Sequence, residues 1–200
     1  MKTPISSLER PHFPVMLGEV IQIVKPSKGG TIVDCTFGGG GYSEALLNFS
    51  KTKVIALDRD SAVLPKANKL EKKFYNRFKF FQSKFSQIDK ISKSYVDTII
   101  FDLGLSSLQI NNLKRGFSFK SKEDLDMSMG LSNISAQNVI NKLSEQNLKS
   151  IIKILGEEKE ASKIAKNIVK VRKQKRITKV DELVTIIEKS KKDFSSKINP

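Results

Sequence analysis

The stretch Thr31-Ile-Val-Asp34-Cys-Thr36-Phe-Gly38-Gly39-Gly40-Gly41-Tyr42-Ser43 constrains the fold more than any other part of this chain. A β-branched run ends in four glycines, a helix-like segment follows, and a second apolar run, Val54-Ile-Ala-Leu-Asp58, ends in an acid. Glycine lets the backbone turn tightly and approach a ligand closely. An acid about 20 residues beyond such a loop is placed to bind ribose hydroxyls. The pattern predicts a strand–loop–helix–strand unit that holds a nucleoside-containing cofactor.

The details narrow the cofactor. In a G-x-G-x-x-G dinucleotide fingerprint Gly38 and Gly40 fit the first two positions, but the third falls on Ser43. No Lys-Ser or Lys-Thr follows the glycines, which excludes a phosphate-binding P-loop. The alternative is S-adenosylmethionine, which carries an adenosine and an amino-acid tail but no phosphate. A glycine-rich turn with no ligand is the plain structural alternative.

The remaining pattern predicts an α/β fold. Helical spacing over 16–25 precedes strands at about 31–37, 53–58, 78–82 and 97–102, with helices near 42–50 and 61–73. This alternation predicts a doubly wound, mostly parallel sheet. Ligands in such sheets bind at the carboxyl ends of the strands, so the glycine loop, Asp58, Phe85 and Asp102 are expected to converge on one crevice. Val96-Asp97-Thr-Ile-Ile-Phe-Asp102-Leu-Gly104-Leu-Ser106-Ser107 delivers a carboxylate, a glycine and two hydroxyls at a strand end. A carboxylate there suits a hydrogen bond to a cofactor or to an exocyclic amine.

Residues 111–133 read as a long loop, a feature that is usually functional or disordered. Beyond Asn138 the chain reads as helical and basic. Ala161, Ile164, Ala165, Ile168 and Val169 make an apolar stripe, with Lys163, Lys166, Lys170 and Lys173 on the other face. Lys170–Arg176 carries five charges, all positive. Thr178-Lys-Val-Asp181 resembles a capping-box start for a helix near 179–191. The formal charge of +15 favours a polyanionic partner, nucleic acid first.

Other chemistries are disfavoured. With one histidine, His12, and one cysteine, Cys35, neither a zinc site nor a Ser-His-Asp triad is expected. Cys35 reads as a small buried hydrophobe, and a single cysteine fits a reducing, cytoplasmic setting. No apolar run approaches a membrane span, and residues 1–14, with charges and three prolines, do not read as a signal peptide.

Taken in order, these motifs resemble the ribosomal RNA small subunit methyltransferase H family. The matching segments are His12-Phe-Pro-Val-Met-Leu-Gly-Glu19-Val-Ile, Asp34–Ser43, Ala56-Leu-Asp58-Arg-Asp60, Phe85-Ser, Asp102–Gln109, Arg115-Gly-Phe-Ser-Phe119, Leu125-Asp-Met-Ser-Met129 and Gly156-Glu-Glu-Lys159. The resemblance implies a partial Rossmann-like S-adenosylmethionine methyltransferase sheet over 1–110, with an inserted helical, basic substrate-recognition subdomain over 111–200. It implies methyl transfer from S-adenosylmethionine to cytosine-N4 in 16S rRNA of the small ribosomal subunit. It implies cofactor contacts by Gly40, Gly41, Tyr42, Asp58, Phe85, Asp102 and Gln109, with Asp102 also the catalytic candidate. Tyr42 stands where the family usually has histidine, so a backbone contact survives and an imidazole-specific one does not. Ser128 stands for a usual arginine, which is expected to weaken one RNA or loop contact.

Members of that family continue well past the equivalent of Pro200. The half-sheet is therefore expected to be incomplete, with Ile99, Ile100 and Phe101 under-covered at its far edge. The chain by itself is expected to be poorly soluble or partly molten and to transfer no methyl to small ribosomal subunits. The rival readings are a non-catalytic ribosome-binding remnant of the same fold and, less in keeping with Ser43, a nicotinamide oxidoreductase.

Overall fold

A computed structural model describes residues 14–92 and 95–191. His12 lies outside the described residues. The chain divides into two compact units, Met1–Ser107 and Leu108–Pro200.

The first unit is an α/β sheet layered with helices. Its order is α1 (Leu17–Val24), β1 (Gly30–Asp34), α2 (Gly41–Leu47), β2 (Thr52–Asp58), α3 (Leu64–Lys73), β3 (Phe78–Gln82), α4 (Ile88–Ile91) and β4 (Thr98–Ile100). The four strands are all parallel, in spatial order β3-β2-β1-β4. Ile32 pairs with Val54 on one side and Thr98 on the other. The order reverses direction between β1 and β4, the switch point at which doubly wound sheets open a crevice.

Both faces of β1 are buried, as a parallel sheet requires. Ile32 joins Val54, Ala56, Leu46, Leu47 and Leu70 in the main core, against which Val20, Ile21 and Val24 of α1 pack. Val33, Cys35 and Leu57 face the opposite way, against Ile88 and Ile91 of α4 and Val96. Cys35 is 2% exposed, as its reading as a core residue requires, and burial pushes its thiol up to about 11.

The expected strands are present: β2 and β3 match their expected bounds to within one residue, while β1 and β4 are shorter. β1 stops at Asp34 rather than residue 37, because the Phe37 N–H leaves the β1 ladder to donate to the Leu57 carbonyl at 3.0 Å. β4 begins after Asp97, whose carboxylate accepts from the Thr31 N–H at 2.8 Å. The two sheet edges differ. On β3 the Phe80 N–H is satisfied by the Glu71 carboxylate at 2.9 Å. On β4 Ile99 and Phe101 are half exposed, as expected. Ile100 corrects that expectation: strand alternation turns it to the opposite face, where it is buried in the main core.

The second unit is helical around its own core. After the turn of α5 (Ser107–Asn111) come α6 (Ala136–Lys142), α7 (Glu145–Ile154), α8 (Ala161–Arg172) and α9 (Val180–Ser190). Ile164, Ala165 and Ile168, the expected stripe of α8, are buried with Leu148, Ile140, Ile177 and Ile186. The 111–133 segment has almost no regular structure, yet it is pinned. Leu125 is 1% exposed, its N–H donates to the Thr178 carbonyl at 2.8 Å, and Asp124 bridges to Lys179. Ser128 donates to Asp126 at 2.9 Å, and its carbonyl accepts from Arg115 at 2.9 Å. The cap of α9 is displaced by one residue from the expected Thr178/Asp181 pair. Glu182 accepts from the Thr178 and Lys179 N–H groups at 2.9 and 3.1 Å, and its bond from Lys175, helped by these two, holds its carboxyl down at about 2.

Candidate functional site

The glycine loop is a tight turn at the carboxyl end of β1. The Gly40 N–H donates to the Phe37 carbonyl at 2.7 Å, which closes the turn. Gly40 has φ of 76°, and a Cβ there would lie 2.8 Å from the Phe37 ring. Only glycine fits that position. At Gly41 a Cβ would sit 2.4 Å from Cγ of Pro14. Around Gly39 a Cβ would meet nothing within 4 Å, so the turn presents open backbone at its tip.

Three carboxylates surround this turn. Asp58, at the end of β2, accepts from the Gly38 N–H at 2.8 Å through one oxygen and from the Asp60 N–H at 2.9 Å through the other. It thus ties the loop to the neighbouring strand and retains lone pairs for a further donor, since a carboxylate offers about four acceptor sites. Burial raises its pKa, against those two hydrogen bonds, which lower it. Asp102, beyond the end of β4, is exposed, and its backbone N–H is held by the Thr36 hydroxyl at 2.7 Å. Asp34 is completely buried. It accepts from the Ser43 hydroxyl at 2.6 Å and the Thr36 N–H at 3.2 Å. Burial pushes its carboxyl up to about 6, with the charges of Asp58 and Asp102 adding to the rise.

Asp34, Thr36 and Ser43 were not among the sequence-based site residues, yet they connect the site. Ser43, at the position a dinucleotide loop gives to glycine, folds its hydroxyl back onto Asp34. Thr36 hands that connection on to Asp102. The sequence signal was an acid at the end of a buried strand, nine residues before a hydroxyl at the first turn of a helix.

The aromatic candidates separate. Phe85 opens a short 3-10 turn beyond β3, is half exposed and meets Phe101 edge-on with ring centroids 5.5 Å apart. Phe101 is a second residue that sequence reading left out of the site. Tyr42 is buried, and its hydroxyl donates to the Val15 carbonyl. Its side chain therefore fastens the loop to the segment before α1. The first unit thus brings the glycine loop, Asp58, Phe85 and Asp102 to the carboxyl ends of the strands. Gln109 belongs to the second unit, where it is buried.

Within that second unit Lys163, Lys166, Lys170 and Lys173 are exposed, and none forms an ion pair with a described residue. The five-charge run is not uniformly available. Arg172 donates to the Ile140 and Leu143 carbonyls at 2.6 and 2.5 Å, and Lys175 pairs with Glu182 at 2.5 Å. Among the described residues no group of three or more His, Cys, Asp or Glu side chains is arranged to hold a metal ion, and no helix is long and apolar enough to cross a membrane.

Known proteins are similar to this chain in sequence. Ribosomal RNA small subunit methyltransferase H of Maricaulis maris is 39% identical over 194 residues, 95% of this chain and 58% of that protein. The protein of the same name from Orientia tsutsugamushi is 42% identical over 181 residues, 90% of this chain and 58% of its own length. That from Rickettsia bellii is 39% identical over 194 residues, 96% of this chain and 64% of its own. The chain thus spans 58–64% of the length of these curated relatives. A solved rRNA methylase from Streptococcus thermophilus is 20% identical over 48% of this chain and 57% of its own, with a TM-score of 0.37. The sequence model of the MraW methylase family matches residues 9–200, and with that match the chain belongs to the MraW methylase family.

Proposed function

We propose that this chain carries the cofactor site and a substrate-binding unit of an S-adenosylmethionine-dependent RNA methyltransferase. The target is the N4 atom of a cytidine in 16S rRNA of the small ribosomal subunit, and the setting is the cytoplasm. One observation carries the reading: Asp58 holds the glycine turn by the Gly38 N–H, while Thr36, from the same turn, holds Asp102. Family membership and the names of the relatives support the substrate.

The residues fit the cofactor. The open backbone at Gly39 admits a ligand against the turn, and the spare lone pairs of Asp58 suit ribose hydroxyls. The half-exposed Phe85–Phe101 pair offers a ring surface to adenine. S-adenosylmethionine, when bound, supplies an electrophilic sulfonium methyl. The accepting nitrogen is a weak nucleophile, because its lone pair is delocalised into the cytosine ring. Transfer forms a C–N bond, breaks a C–S bond and leaves one proton to be lost from the amine. The protein must hold the amine in line and accept hydrogen bonds from its protons. Asp102 is assigned that acceptor role, because its backbone is latched and its side chain is exposed. The target base must be unstacked, which single-stranded RNA permits. The exposed lysines of α8 are assigned to RNA phosphates.

Calorimetric titration tests the cofactor. S-adenosylmethionine should bind, and NAD should not. Asp58→Ala removes a charged acceptor worth about 1.5–3 kcal/mol, so affinity should fall at least tenfold. Unchanged affinity removes Asp58 from the site. With a version extended to the length of the relatives, tritium moved from labelled S-adenosylmethionine to small subunits should appear as N4-methylcytidine, and label on another nucleoside overturns the substrate. Cofactor binding without transfer is the result expected of the non-catalytic reading.

A further inference from the structure

The second unit holds a cleft of about 530 Å³ between the carboxyl-terminal half of α8 and α9. Its floor is aliphatic, from Val171, Ile177 and Ile186. Its rim carries Lys170, Arg176 and Lys189, all exposed. Lys175 and Glu182 also line it, but they neutralise each other at 2.5 Å. Arg176 donates to the amide oxygen of Gln137 at 3.3 Å, which satisfies a proton and leaves the charge. Three cations therefore surround an apolar floor, and among the described residues that line the cleft Glu182, already paired with Lys175, is the only carboxylate. A volume of this size is that of a small-ligand site.

We infer that this cleft takes one unpaired nucleotide of the RNA, its base on the Val171–Ile177–Ile186 floor and its flanking phosphates on Lys170, Arg176 and Lys189. The inference rests on the reading of the protein as RNA-acting. Two features select this occupant. The floor rewards burial of an apolar, flat group, which an acidic peptide side chain does not offer. The rim rewards successive negative charges, which a neutral ligand does not offer. A paired base stays in its stack and cannot reach the floor, so the nucleotide must be single-stranded.

The test measures fluorescence anisotropy of the 200-residue chain with labelled single-stranded decacytidylate RNA, an RNA duplex of the same length and a decaglutamate peptide. The double variant Lys170→Gln/Lys189→Gln should weaken single-strand binding at least tenfold. It should also flatten the slope of log affinity against log salt by about 1.4, the value for two lost phosphate contacts. Lys142→Gln/Lys153→Gln removes the same charge from exposed positions outside the cleft and should change affinity less than twofold. Methyl resonances of Val171, Ile177 and Ile186 should shift with the single strand and not with the duplex. Equal losses in the two double variants, or unmoved floor methyls, overturn the cleft and leave RNA binding standing. Decaglutamate binding as tight as RNA, with the same sensitivity to Lys170 and Lys189, also overturns it. If the unaltered chain binds no RNA, the functional reading beneath the inference falls as well.

Discussion

Asp34→Asn is expected to stabilise the first unit by about 3 kcal/mol at pH 8 and by almost nothing near pH 4. The Asp34 carboxyl is pushed from its ordinary 3.8 up to about 6 in the folded chain, chiefly by burial. A group whose folded pKa is raised resists ionisation in the native state. Above pH 6 it is ionised whether the chain is folded or not, and the whole penalty weighs on folding. Below pH 3.8 it is protonated in both states, and the penalty is gone. The difference is worth about 3 kcal/mol, at about 1.4 kcal/mol per pH unit. Asparagine has the same shape and no charge to desolvate. It keeps an acceptor and gains a donor that the Ser43 hydroxyl can accept. Urea unfolding of both proteins from pH 4 to pH 8 measures the gap. A gap that stays constant across that range would show that Asp34 does not carry a buried charge. Because Asp34 also orients Thr36 and Ser43, its ionised form is a feature that stability alone does not explain.

Arg172→Ala should cost the second unit about 3 kcal/mol, while Lys173→Ala, its neighbour, should cost under about 0.5 kcal/mol. The Arg172 guanidinium donates to the Ile140 and Leu143 carbonyls, orphan acceptors at the carboxyl end of α6. Each charge-assisted bond is worth about 1.5–3 kcal/mol, and a cation at a helix carboxyl end adds to it. Ile140 is buried, so water replaces these bonds poorly. Arg172→Lys keeps the charge but not the fork and should fall between. Thermal unfolding followed by circular dichroism at 222 nm ranks the three. If Arg172→Ala is no worse than Lys173→Ala, the run is merely a charged surface.

That contrast shows where reading from sequence succeeds and where it stops. The sheet was legible because its strands are β-branched runs closed by turn residues, and a strand buried on both faces needs such runs. The stripe of α8 was legible for the analogous reason at helical spacing. α4 was missed because four residues carry too little period to register. The α9 cap was misplaced because Asp181 and Glu182 both lie at capping distance from a residue ahead of the helix, and only the packed geometry selects Glu182. Arg172 looks like any other cation of its run. Its partners lie 29 and 32 residues earlier, a separation that leaves no local mark. The site divides the same way. Glycines and strand-end acids announce themselves by type and spacing. The Ser43–Asp34–Thr36–Asp102 connection is made of ordinary residues whose meaning comes from proximity.

Leu125 has a consequence of a different kind. It sits in a stretch without helix or strand, where backbone amides ordinarily exchange with solvent within seconds and proteases cut. Its side chain is inside the core and its N–H is given to Thr178, while the Gln137 N–H donates to the Leu125 carbonyl at 2.8 Å. The Leu125 amide can exchange only when the surrounding helices open, so its deuterium uptake should keep pace with the amides of Ile164 and Ile168 rather than with the rest of its loop. Trypsin should accordingly spare Arg115–Asp126 in the native protein, and the first cuts should fall elsewhere.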